Sequence, residues 1–281
     1  MKEKTMYVKL PSGSKFRRVS VAKNGEIGIV YITPEIPKPK NLVGGNGVYQ
    51  DADSPYWYCT LKNGDTFMYV YVEDLTEKDF CYNPEETENE YLKMKQEMFK
   101  ANALEALANK PKTGIWLPVF ELSADNNGNL RFVKDAIPLT GRLNANEWRE
   151  KAREYSPENK SRMGSKTTYY LMLLRWLKDG IATYEQIVED SSELGTYYLS
   201  RTNGENPVET GRRKFGGLYG FVGNTYKIIE DTDSSSKYKF LRAGGCCNND
   251  GGYACASRVY EIKKADMSSF WNGVGLIELQ Q

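Results

Sequence analysis

The 281-residue chain contains no histidine. That absence removes the commonest metal ligand and the usual proton carrier at neutral pH, so Ser-His-Asp and Cys-His chemistry and histidine-ligated iron or zinc are excluded together. Catalysis would have to draw on Cys, Lys, Tyr or carboxylates. Cysteine is scarce as well: Cys59, Cys81, Cys246, Cys247 and Cys255 are an odd set with no C-x-x-C spacing. They speak against a zinc ribbon and a disulfide scaffold, and for reduced, mostly buried thiols. Neither sign of charge is in excess. Thirty-eight Lys and Arg against 37 Asp and Glu leave a formal charge of +1, so no field points to DNA, RNA or an anionic membrane. Nowhere do about 18 apolar residues run together, and the opening Met1 to Leu10 has no apolar stretch of signal-peptide length. The expectation is a cytoplasmic chain with no nucleic-acid partner and no membrane insertion.

What is present is enough to fold: 40% of residues are apolar and 12% aromatic. From Met6 to about Phe80 the text is short β-rich runs, such as Glu26 to Thr33 and Thr66 to Val72. Asn24-Gly25, Asn46-Gly47 and Asn63-Gly64 punctuate them and suit tight hairpin turns. Pro34 to Lys40 is too proline-rich for a central strand. Asn83-Pro84 followed by Glu85 and Glu86 reads as a helix start, and Tyr91, Met94, Met98, Ala101, Leu104 and Ala108 recur at helical spacing until Lys110-Pro111. This gives three parts: a β-rich attachment domain over 1–82, a connector helix within 83–112, and a second domain over 113–281.

In that second domain, Gly114 to Leu122 and Leu130 to Val133 flank Asp125 to Asn129 as a hairpin. One helix begins at Asn144 or Asn146, a second is capped near Ser165 and ends at Gly180, and a third runs from about Thr183 to Glu189. From Gly195 onward the chain is glycine-rich, yet aromatic residues are interleaved throughout and need a core to cover them.

Pro207-Val208, Phe215-Gly216-Gly217-Leu218-Tyr219, Gly223-Asn224 and Glu230-Asp231, in that order, resemble the "PV…FGLYDMAGNVWEW…D" signature of the formylglycine-generating-enzyme family. Leu241-Arg242-Ala243-Gly244-Gly245 resembles its "RGGS" turn, and Trp271-Asn272-Gly273-Val274-Gly275 is similar to the "WNVGFR" ending of retroelement variable proteins. The resemblance covers roughly residues 113 to 281. It implies a C-type-lectin-like α+β fold, with two helices beside a small twisted antiparallel sheet and long loops that bind. It implies copper held by two cysteines spaced C-x4-C in the oxidising members. Here Cys246 and Cys247 are adjacent and Cys255 is eight residues on, and adjacent side chains diverge in a strand, so that equipment is not matched.

Three groups of residues are candidates for a site. Asn248, Asn249, Asp250, Tyr253, Ser257 and Arg258, with Trp271, would form an exposed binding surface, as that region does in the variable proteins; a solvated loop is the plainer reading. Asn224 with Glu230, Asp231 and Asp233 offers hard oxygen ligands for calcium, against a charged turn. Cys246 or Cys247 would be a reactive thiol only if a cation lowered its pKa, and no lysine or histidine is close in sequence.

The resulting expectation is a non-enzymatic binding or structural protein without a cofactor. It would be a component of a phage or phage-like virion, assembled in the host cytoplasm and displaying the lectin-like domain for host-surface glycan or protein recognition. The N-terminal domain would attach it to other particle proteins. Tyr56-Trp57-Tyr58 and Tyr69-Val70-Tyr71 suggest a homo-oligomer built through aromatic surface. The alternative is a copper oxidase of the formylglycine-generating type with a displaced cysteine pair.

Overall fold

The computed structural model describes residues 15–21, 27–32, 36–51, 54–79, 89–141, 143–195, 207–211, 213–231, 239–246, 256–257, 259–262 and 273–280. Asn248, Asn249, Asp250, Tyr253, Arg258 and Trp271 lie outside them, as do Asp233, Cys81, Cys247 and Cys255. The described chain is α+β, with four α-helices beside mainly antiparallel sheets.

Strands β1 (Lys15–Val21) and β2 (Ile27–Ile32) pair antiparallel in a two-stranded sheet of their own; Asn24-Gly25, expected as a tight turn, lies outside the described residues. Next come β3 (Gly45–Gln50), β4 (Trp57–Leu61), β5 (Thr66–Val70), α1 (Glu90–Ala108) and β6 (Ile115–Pro118). The Asn63-Gly64 pair turns β4 into β5: Leu61 N donates to Asp65 O at 2.9 Å, and Gly64 sits at φ 90°. Asn46-Gly47, expected as a turn, instead lies inside β3, at a register irregularity between Gly45 and Val48 where Gly47 takes φ 107°. The same backbone freedom that suits a hairpin suits a bulge.

The expected boundary at residues 82 to 112 does not separate two sheets. Strands β3-β4-β5-β6 form one four-stranded sheet, with Phe67 opposite Pro118 and Val70 opposite Ile115. Apolar side chains from Ile36 to Leu279 form one continuous buried cluster. The β-rich segment thus completes a sheet that the later chain begins, because β5 alone would leave a row of unpaired backbone groups.

Helix α1 is capped by Asn89, whose side chain accepts from Tyr91 N and Leu92 N; the expected start at Asn83-Pro84 lies outside the described residues. Its buried stripe is Lys95, Gln96, Phe99, Ala103 and Ala106. Tyr91 and Met94, expected on the covered face, are 42% and 52% exposed. The helix is turned this way by Phe99 against the Tyr170 ring at 5.9 Å, Asn102 Nδ2 donating to Tyr170 Oη at 2.9 Å, and Lys95 Nζ donating to Glu189 O at 2.9 Å.

Short strands β7 (Ser123–Ala124) and β8 (Leu130–Arg131) make a hairpin around Asp125, whose carboxylate accepts from Asn127 N and Asn129 N; the first arm expected over 114–122 instead supplies β6, which pairs with β5. Helix α2 (Ala145–Tyr155) has Asn144 as N-cap and Glu147 closing a capping box. After β9 (Arg162–Met163), α3 (Lys166–Lys178) starts at its cap Ser165 and is buried from Lys166 through Trp176. Helix α4 (Tyr184–Val188) is capped by Thr183. The remaining strands are β10 (Lys214–Phe215), β11 (Leu218–Tyr219), β12 (Tyr226–Glu230), β13 (Phe240–Ala243), β14 (Val259–Glu261), β15 (Gly273–Gly275) and β16 (Ile277–Glu278). Four of these make a second sheet in the order β14-β13-β12-β15, parallel between β12 and β15 and otherwise antiparallel. β16 returns to pair with β9, and Leu279 bridges to Trp116 of the first sheet.

Candidate functional site

A buried polar cluster in the described core gathers around Glu121 and Lys227, residues that the sequence does not mark out. On β12, Lys227 alternates with Tyr226 and Ile228 and so points to the inner face, where it is 3% exposed. Its Nζ donates to Glu121 Oε1 at 2.9 Å, to Thr225 O at 2.6 Å and to Thr225 Oγ1 at 2.9 Å. Glu121, also buried, accepts from Thr225 Oγ1 and Asn224 Nδ2. Asn224 takes left-handed backbone at φ 53° and clasps Val208 from both sides, its Oδ1 accepting from Val208 N at 2.9 Å and its Nδ2 donating to Val208 O at 3.1 Å. Two widely separated pieces of the resemblance, Pro207-Val208 and Gly223-Asn224, therefore meet at one hydrogen-bonded joint.

Burial pushes the Lys227 ammonium pKa below its usual value, and the Glu121 carboxylate opposes that shift. Cys246, buried and not in a disulfide, lies within electrostatic reach of Lys227. The cation that the local sequence lacks is thus brought to it by the sheet. A cavity of ≈ 20 Å³ bordered by Glu121, Lys227, Phe132, Tyr219 and Leu276 adjoins the pair. It has room for about one water and none for an organic substrate. Glycine makes the closeness possible: a Cβ on Gly220, at φ 62°, would overlap the Glu121 carboxylate, and one on Gly216 would overlap the Trp176 indole. What the cluster accomplishes is to lock β12 to the chain that follows β6.

The expected calcium ligands are not assembled. Asn224 is committed to Glu121 and Val208, while Glu230 approaches Arg149 at 3.8 Å and Asp231 pairs with Lys166 at 3.0 Å. Among the described residues no group of three or more Cys, Asp or Glu is placed to hold a metal. Ser257, expected on an exposed surface, is fully buried: its N donates to Ile187 O at 3.1 Å, and its O accepts from Tyr170 Oη at 2.6 Å. With Ala256 it is tied to α3 and α4. Of the aromatic runs expected at an oligomer interface, Tyr56, Tyr58 and Tyr69 are buried within the chain, Tyr56 Oη donating to Asp179 Oδ2 at 2.9 Å, while Trp57 and Tyr71 are half-buried.

The opposite face of the β14-β13-β12-β15 sheet carries a different arrangement. Arg242 on β13 stands between two tyrosines of the flanking strands, its guanidinium carbon 5.1 Å from the Tyr226 ring centroid and 5.1 Å from that of Tyr260. Tyr260 is its direct cross-strand neighbour, and Tyr226 lies diagonally, one position along from Ile228 on that face. Two residues back, Phe240 shares the face and takes Arg149 of α2 at 5.3 Å from its ring.

No protein-family model matches the chain, and no curated protein matches it in sequence. Among solved structures it is similar to the crystal structure of CarF, at 11% identity and TM-score 0.41, over 60% of this chain and 87% of that one. It is also similar to Treponema denticola variable protein 1, at 12% identity and TM-score 0.31, over 96% and 99%. Likeness at these levels decides nothing about function.

Proposed function

We propose that the protein is a non-enzymatic binding or structural module of the C-type-lectin-like kind that its sequence resembles, working as a homo-oligomeric component of a phage or phage-like particle. Asn248, Asn249, Asp250, Tyr253 and Arg258, with Trp271, form its recognition surface. The N-terminal segment, whose β1–β2 hairpin pairs only with itself among the described strands, attaches it to other particle proteins. One observation carries the reading: Glu121, Asn224, Thr225 and Lys227, the polar residues nearest the family-like motifs, are buried and bonded to one another. Groups held in that way maintain a scaffold, and recognition falls to the connections between strands.

The test is mass-spectrometric identification of proteins that co-purify with the tagged full chain from cells carrying its gene. Capsid or tail proteins are expected, and a Tyr253→Ala variant should still retain them, because attachment lies elsewhere. Stoichiometric copper(I) binding that disappears on replacing Cys246 and Cys247 by serine would overturn the proposal in favour of an oxidase.

A further inference from the structure

We propose that Arg242, held between Tyr226 and Tyr260, is the anchor of a site for the carboxylate of a ring-borne acid, such as a sugar acid. The inference rests on the reading of the C-terminal region as a binding module and names the chemistry of its ligand. It starts from a half-buried charge that has no counter-ion among the described residues. Arg131 meets Asp65, Arg162 meets Glu278, Arg175 meets Asp179 and Asp74, Arg149 meets Glu230, and Arg213 donates to backbone carbonyls. Among the described residues Arg242 has no such partner; its contacts are the two rings, and its Nε is buried without a hydrogen bond. A half-buried guanidinium with no carboxylate beside it among the described residues favours an anion that can reach it.

Geometry then selects the ligand. Rings flank the guanidinium on both sides and its Nε is buried, so a planar carboxylate would be matched by the Nη pair through two parallel N–H···O bonds. Aromatic surface flanking the charge favours a carboxylate carried on a rigid ring over one on a flexible Asp or Glu side chain, whose ordering costs rotamer entropy. Position agrees: Ala243 and Val259, the neighbours of Arg242 and Tyr260, pair at the root of the connection that carries Asn248 to Arg258.

The experiment uses the intact wild-type chain, so it does not depend on a variant folding. Phenylglyoxal modification of Arg242 is followed by mass spectrometry, alone and with D-glucuronate, D-glucose or N-acetylglutamate at equal concentration. Glucuronate should protect Arg242, and glucose should not. Equal labelling with and without saturating glucuronate would overturn the proposal, as would protection by glucose or stronger protection by N-acetylglutamate. In calorimetry Arg242→Gln should lose glucuronate binding by about tenfold or more, and Arg242→Lys should recover only part, because the ammonium lacks the planar fork. Unchanged affinity in a folded Arg242→Gln chain would refute the site. Glucuronate capture that persists while no particle protein co-purifies would reject the particle reading and leave the Arg242 site standing.

Discussion

A single lysine shows how far the fold can move a residue from its habitual setting. Lys227 is buried with Glu121, and the attraction between them offsets the desolvation of both only while Thr225 and Asn224 complete the hydrogen bonding. Removing one partner strands the other. Lys227→Met should lower unfolding free energy by about 3–5 kcal/mol, and the Glu121→Gln, Lys227→Met pair should recover much of that loss, as measured by chemical denaturation. The sign with pH follows from the lowered pKa. A lysine that binds its proton less tightly folded than unfolded makes the folded state gain stability as pH rises from its folded pKa toward the ordinary value of 10.5. Wild type should therefore gain on the double variant across that alkaline window and lose the gain as pH falls back through it.

At the scale of elements, caps proved legible and faces less so. Asn144, Ser165 and Thr183 start α2, α3 and α4 as their side chains and the following residues predict, because an N-cap hydrogen bond is a local matter. The covered face of α1 was not legible. Tyr91, Met94, Met98, Ala101, Leu104 and Ala108 make the stronger apolar stripe, yet the helix buries Phe99, Ala103 and Ala106, with Lys95 and Gln96 beside them. Phe99 meets an aromatic partner in Tyr170, and Lys95 reaches a carbonyl at Glu189, contacts that no pattern in α1 contains. Phe99→Ala should accordingly cost about 3–5 kcal/mol, and Met94→Gln no more than about 0.5 kcal/mol, in thermal or urea unfolding. The reverse order would restore the stripe read from the sequence.

For the whole molecule, ion pairs and strand pairing tie residues 51–79 to the later chain. Asp65, fully buried, accepts from Arg131 Nε at 3.0 Å, Phe132 N at 3.0 Å and Tyr155 Oη at 2.6 Å. Asp74 accepts from Arg175 Nη1 at 2.8 Å, and Asp79 from Lys178 Nζ at 3.1 Å. A fragment limited to residues 113–281 would leave Arg175 buried without Asp74 and β6 without β5, so it should show no cooperative unfolding by circular dichroism. A chain from residue 36 onward should keep it. A stable, cooperatively folding 113–281 fragment would support the separate domain expected from the β-rich composition.

The sequence by itself determined what depends on neighbours in the chain: helix caps, the Asn63-Gly64 and Asp125 turns, and the exclusion of histidine chemistry. Turn and cap energies are local, so local residues suffice to read them. Tertiary structure alone decided that β3 to β5 complete a sheet with β6, that Asn224 belongs to a buried joint and not to a calcium loop, that Ser257 is an anchor, and that Lys227 meets Glu121. It also left Arg242 between two rings, without a counter-ion among the described residues. These outcomes turn on contacts between residues as much as 106 positions apart, as for Lys227 and Glu121. Desolvation decides which polar groups must find each other there, and no periodicity along the chain encodes that choice.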